Sequence, residues 1–166
     1  FVDRFNKTEN LNNSKDRIKV EDWYSEIPEY PEYPGAFLKN NYFYGGNLYG
    51  IIEKLEYLYG LGVTIIYLSP IFESPSNHKY DTADYENVDC GFGGEKALSK
   101  LIEKARLYGI SIILDGVFNH TGADSKYFNR FGNYGLDGAY NSTKSKYYNW
   151  YNFHIYPNKT FKNVDN

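Results

Sequence analysis

The chain has 166 residues, a formal net charge of −3, 42% hydrophobic residues and 23% charged ones, enough to bury one domain's core and far from a disordered composition. Its slight acidity offers no basic face to nucleic acid or an anionic membrane, and no apolar run approaches the roughly 18 residues of a membrane-spanning helix. The single cysteine, Cys90, cannot form an internal disulfide and leaves the redox compartment open.

In chain order, Phe1 to Phe5 reads as the end of a strand. There is no methionine, at residue 1 or elsewhere, and no secretion signal opens the sequence, so the chain reads as a segment of something longer. From Asn6 to Asn41 it is polar, with Pro28, Pro31 and Pro34, and supports no long element. Leu48, Ile51, Ile52, Leu55, Leu58 and Tyr59 then fall on one helical face, which stops at Gly60 and Gly62. Val63 to Leu68 is β-branched and apolar on both faces, the pattern of a strand covered on both sides in a parallel sheet.

The pattern recurs. After a loop from Ile71 to Gly94, Leu98, Leu101, Ile102 and Ala105 mark a second amphipathic helix, and Ile110 to Asp115 a second buried strand. Two units of helix, Tyr-Gly break and aliphatic strand predict an α/β domain with a parallel sheet. Periodicity does not separate a barrel from an open sheet. Beyond Thr121 the chain turns polar, aromatic and glycine-rich, and reads as an irregular excursion. The chain's 19 Tyr and 11 Phe suit stacking on sugar rings or packing a wet interface, and codon bias in an AT-rich genome explains them equally well.

Both strands run into polar loops at their C-terminal ends, the edge where parallel α/β folds bind ligands. The Ile71–Gly94 loop and the stretch from Thr121 to Asn166 therefore form the functional rim. It carries Ser76-Asn77-His78-Lys79-Tyr80-Asp81 with Asp84-Tyr85 beyond, where an extended backbone would project His78 and Tyr80 to one side; the plainer reading is a local hydrogen-bonded pair. It also carries Asp115-Gly116-Val117-Phe118-Asn119-His120. Strand alternation puts Ser111, Ile113 and Asp115 on one face, and a carboxylate there is either functional or a structural ion pair. A third group, Glu9 to Asn13 with Gly45-Gly46-Asn47, has oxygens fit for calcium, although asparagine runs are more often turns. Zinc spacings, phosphate-binding loops and the Gly-x-Ser-x-Gly elbow are all absent.

In this order the motifs resemble a known family. Val2-Asp3-Arg4-Phe5, Tyr44-Gly45-Gly46-Asn47-Leu48 and the run from Gly62 to Phe72 resemble the opening of α-amylase-family catalytic barrels. Ser74 to Tyr85 is similar to the loop after the second strand in neopullulanases, cyclomaltodextrinases and amylopullulanases. Asp115 to His120 resembles the family's signature region on strand three, and the aromatic tail from Tyr127 to Tyr151 resembles the start of its domain B.

The resemblance implies a partial TIM (β/α)8 barrel: residues 1–120 hold the first three βα units and residues 121–166 the beginning of domain B. It implies an α-glucan, oligosaccharide or polysaccharide, as partner, with His78, Tyr80, Asp115 and His120 as substrate-binding residues and Asp115 supporting the nucleophile's surroundings without attacking. For cofactor it implies calcium alone, near Asn12, Asn13, Gly45, Asn47 and Asn119, but Asn47 stands where the family usually has Asp. It favours an extracellular bacterial setting over the cytoplasm. The nucleophile segment Gly-x-Arg-x-Asp and the acid/base glutamate of the family have no counterpart here. Since a barrel takes about 250 residues, the reading is a fragment of a retaining glycosidase, inactive alone and prone to self-association through its incomplete barrel. A non-catalytic sugar-binding or scaffolding relative, or a transglycosylase, is the alternative.

Overall fold

In the computed structural model, residues 1–8, 17–24 and 30–156 are described. A 3-10 turn at Val2–Arg4 is followed by β1 (Ile18–Lys19), β2 (Tyr42–Phe43), α1 (Leu48–Glu53), α2 (Leu55–Gly60), β3 (Ile65–Leu68), β4 (Phe72–Glu73), β5 (Asp84–Val88), α3 (Gly94–Leu107) and β6 (Ser111–Leu114). The centre is a parallel pair, β3 beside β6, with Ile65 opposite Ser111 and Leu68 opposite Leu114. The Asp115 amide bonds the Leu68 carbonyl and carries the ladder one residue further.

The helices cover one face of this pair. Leu48, Ile51 and Leu55 meet Ala97, Leu101 and Ala105 of α3 in a single core that also takes in Leu68, Ile71, Phe92 and Ile110. Burying each large aliphatic side chain stabilises the fold by about 1.5–3 kcal/mol. The periodicity predicted α3 well, although Ile102, expected on its buried side, is exposed.

Four expectations are corrected. Phe1 to Phe5 is a 3-10 turn rather than a strand end, because the buried Asp3 carboxylate accepts the amides of Tyr44 (3.1 Å) and Gly45 (3.2 Å) and curls the backbone around them. The approach is so close that a Cβ on Gly46 would lie 2.1 Å from the Val2 carbonyl oxygen. The first helix is interrupted at Lys54, whose amide bonds Ile51 and Ile52 as the first turn set closes. The loop before Gly94 contains an antiparallel hairpin, β4 on β5, with a bulge between Phe72 and Glu73; its strands are too short and polar to show as alternation. Finally, β3 and β6 are covered on one face only: Ile65, Tyr67 and Ile113 are 55%, 60% and 45% exposed.

Residues 121–156 hold a single 3-10 turn (Tyr148–Trp150) and neither α-helix nor strand. Rings hold them together. Tyr127 stacks on Tyr85 (5.5 Å) and Trp150 (5.1 Å) and meets Tyr147 edge-on, while Phe128 packs against Tyr140, Tyr151 and Phe153. Lys126 ties this segment to β5 through Asp84 (2.6 Å) and Glu86.

Candidate functional site

At the C-terminal end of the parallel pair, four residues singled out in the sequence come together. Asp115, half-buried just past β6, shares the open face with Tyr67 and Ile113. Its Oδ2 accepts the Tyr80 hydroxyl at 3.0 Å. Hydrogen bonds to this carboxylate hold the Tyr67 and Tyr80 phenols protonated above their ordinary range. Tyr67 was not foreseen; it joins this face because the ladder sets it opposite Ile113.

His78 and Tyr80 do lie side by side, with ring centroids 6.0 Å apart and planes 29° from parallel. The segment is not extended, however: Lys79 between them sits at φ +62°, in the left-handed region. The tight turn puts the Tyr80 amide 3.0 Å from His78 Nδ1. An amide nitrogen can only donate, so Nδ1 is the bare nitrogen and Nε2 carries the proton as a donor. Ser76 supports the turn, its hydroxyl bonded to Asp81 and 3.2 Å from His78 Nδ1.

His120 enters from the other loop. Its Nε2 lies 3.0 Å from the Tyr80 carbonyl, which only accepts, so this nitrogen carries the proton. The Asn119 amide is 3.4 Å from Nδ1, so both ring nitrogens are turned toward protein. Tyr85 fixes the segment, its hydroxyl reaching the carbonyls of Val117 and, at 2.7 Å, His120. A cleft of about 1100 Å³ opens beside it, bounded by Tyr85, Phe118, His120, Tyr127, Trp150 and Tyr151.

Beneath the turn lies a charge cluster that sequence reasoning did not find. Lys79 and Asp89 are fully buried. Asp89 accepts Lys79 Nζ at 2.6 Å and the two terminal Arg17 nitrogens, Nη1 and Nη2, at 2.8 and 2.5 Å. Burial pushes the Asp89 carboxyl up, but the Arg17 bonds and the Lys79 charge outweigh it and hold it below the usual carboxylate range. The one local signal was Asp89 two residues before Gly91, whose amide it caps at 2.8 Å.

Of the residues suggested for calcium, Gly45, Asn47 and Asn119 lie among the described residues. Asn12 and Asn13 lie outside the described residues. The buried Asn47 amide oxygen caps α1 through the Gly50 amide (2.9 Å) and also accepts the Thr8 hydroxyl (3.1 Å), which occupies both of its lone pairs. Its amide nitrogen bonds the Gly45 carbonyl, and the exposed Asn119 stands apart beside His120. Around Gly45 and Asn47 the donors are neutral and already used, so they do not fit a calcium ion. Among the described residues no group of three or more His, Cys, Asp or Glu side chains is placed to hold a metal.

Comparison with known proteins gives the arrangement a context. Residues 1–164 match the family model described as "Alpha amylase, catalytic domain". The chain is similar to the amylopullulanase of Thermoanaerobacterium saccharolyticum, 46% identical across 91% of the chain and 13% of that protein. It is similar to the cyclomaltodextrinase of Thermoanaerobacter pseudethanolicus, 41% identical across 96% of the chain and 24% of that protein. Among solved structures, a debranching enzyme from Nostoc punctiforme is 34% identical with a TM-score of 0.63, across 95% of the chain and 29% of that structure. The chain thus spans between about an eighth and a third of these relatives.

Proposed function

Because the chain belongs to the α-amylase family of glycoside hydrolases, we propose that it forms the first part of a retaining α-glucan hydrolase, supplying the sugar-binding wall of the active site. The observation that carries this reading is the meeting of His78, Tyr80, Asp115 and His120 at the C-terminal end of β3 and β6, the edge where (β/α)8 barrels act. In this reading the stacked rings of His78 and Tyr80 offer a glucose ring an apolar wall. The Nε2–H of His78 donates to a sugar hydroxyl. Asp115 holds Tyr80 in place, and His120 reaches the sugar by exchanging its bond to the Tyr80 carbonyl.

The two carboxylates of a retaining mechanism stand about 5 Å apart across the scissile bond. Asp115 is tied to Tyr80 and the Gly-x-Arg-x-Asp segment is absent from the sequence, so nucleophile and acid/base are assigned to further chain, on later strands of the same barrel. Residues 1–120 are then the first three βα units and residues 121–166 the start of domain B. The open face at Ile65, Tyr67 and Ile113 supports this, since an unfinished barrel exposes its interior side. The same face is expected to make the isolated 166-residue chain self-associate, which light scattering over a concentration series reads directly. The substrates proposed are starch, pullulan or maltodextrins, through α-1,4 and α-1,6 bonds. Calcium has no place in this scheme at Asn47; chelation with a thermal readout tests Asn12, Asn13 and Asn119.

The deciding experiment offers a maltooligosaccharide to the 166-residue chain and to the full-length protein. Binding by both, with turnover only by the full-length protein, is expected. Turnover by the short chain would place the catalytic carboxylates here and overturn the scheme, whereas binding without turnover by the full-length protein would favour a sugar-binding scaffold.

A further inference from the structure

Between two rings that face solvent, one side chain turns inward. His78 and Tyr80 are partly exposed, while Lys79, joining them, is 0% exposed. Its ammonium reaches Asp89 at 2.6 Å and the carbonyls of Ser74 and Ser76 at 3.5 Å, and it sits 4.7 Å from the centre of the Phe92 ring. Its backbone is clamped as well: the amide donates to the Ser76 hydroxyl (3.0 Å) and the carbonyl accepts from Thr82 (3.4 Å).

A buried ion pair is a poor device for stability alone, because apolar side chains of similar volume usually serve as well or better. The left-handed backbone is likewise unfavourable for a residue with a Cβ. Both features persist at the residue that links the two sugar-facing rings, where a conformation has to be held. We propose that Lys79, locked to Asp89 and through it to Arg17, is a positioning residue: its buried ammonium holds the left-handed turn that sets the spacing of the His78 and Tyr80 rings and keeps the Tyr80 amide on His78 Nδ1. This rests on the sugar-binding reading of those two rings.

Arg17 widens the device. It reaches Asp89 from the segment before β1, donates to the Ser74 carbonyl at 3.3 Å, and stacks over Phe43 at 4.6 Å. The rings are thereby referenced to β1 and β2 rather than to the sheet that carries Asp115. Tyr80 closes the gap between the two, with its hydroxyl on Asp115 and its carbonyl on His120.

The test is a double-mutant cycle in the full-length protein, with kcat/KM on a chromogenic maltooligosaccharide as the readout. Lys79→Met keeps the volume and removes the charge; Lys79→Gly relieves the backbone strain and removes the anchor, which guards against a variant that does not fold. Each is expected to lower kcat/KM by about a hundredfold, the scale of a small misplacement of binding groups. In the background His78→Ala with Tyr80→Ala, the same changes should cost less than about threefold, because the groups they position are gone. An equal loss in both backgrounds would mean a merely structural role and overturn the proposal. Full activity of both Lys79 variants alongside a crippled His78→Ala/Tyr80→Ala protein would also overturn it, leaving the sugar-binding reading intact. Unchanged activity of His78→Ala/Tyr80→Ala would overturn that reading, and the positioning role with it.

Discussion

The two loops that rim the sheet are held by opposite means. The segment from Ser69 to Gly94 hangs on buried charge and hydrogen bonds: Asp89 between Arg17 and Lys79, and Ser74 and Ser76 on Asp81. The segment from Thr121 to Tyr156 hangs mainly on rings, with Tyr127, Trp150 and Tyr147 in one cluster and Phe128, Tyr151 and Phe153 in another, besides the Lys126 tie to β5. Charge-assisted hydrogen bonds are short and directional, and they pin a turn at defined atoms. Ring clusters bury large apolar areas and here combine stacked, tilted and edge-on pairs. That difference fits a rim in which one side presents two defined side chains and the other bounds a broad cleft.

The contrast is sharpest at the anchors. Asp89→Ala leaves two cations near Phe43 and Phe92 without a counter-charge and should cost about 3–5 kcal/mol in urea unfolding. A cost below about 1 kcal/mol would mean that water already reaches the cluster. Tyr127→Ala removes the centre of the ring stack together with its bonds to the Tyr85 amide and Asp84. It should cost about 3 kcal/mol and loosen residues 121–156 in hydrogen exchange while leaving the turn at Lys79 protected.

Acid should weaken the buried charge cluster beneath the turn. Because the folded Asp89 carboxyl lies below its unfolded value of about 3.9, the unfolded chain binds more protons in the window between the two values. Its stabilising contribution is therefore whole above about pH 4 and falls as pH drops through the folded value. Asp3, equally buried, runs the other way: burial raises its carboxyl above the usual range despite bonds from Tyr44, Arg4 and Gly45. Asp89→Asn should accordingly flatten the acid limb of a pH–stability curve; an unchanged limb would assign acid sensitivity to other groups. The smallest effect is expected for Tyr80→Phe, which loses one exposed hydrogen bond to Asp115, worth about 0.5–1 kcal/mol, but should weaken maltooligosaccharide binding measurably by calorimetry.

The sequence disclosed what depends on local pattern. The 3.6-residue period marked α3, the aliphatic runs marked β3 and β6, and alternation put Asp115 on the face with Ile113. It hid what depends on distant partners. Nothing in Phe1 to Phe5 announces that the amides of Tyr44 and Gly45 will bend it into a turn. Lys79, in a run of Ser, Asn, His and Tyr, looks like a solvated loop lysine until Asp89 and Arg17, 10 and 62 positions away in sequence, are folded around it. His78 and Tyr80 were legible as a pair, but the left-handed residue that pairs them was not.

Lys79 also supplies a built-in chemical clock. An amine-reactive reagent needs an accessible, uncharged nitrogen, and this one is sealed from solvent against a carboxylate. In a timed acylation followed by peptide mass analysis, exposed lysines such as Lys144 and Lys146 will mark within the first exposure, while Lys79 marks only when the turn opens. Its labelling rate thus reports the fraction of time the loop stands open, with no probe added to the molecule.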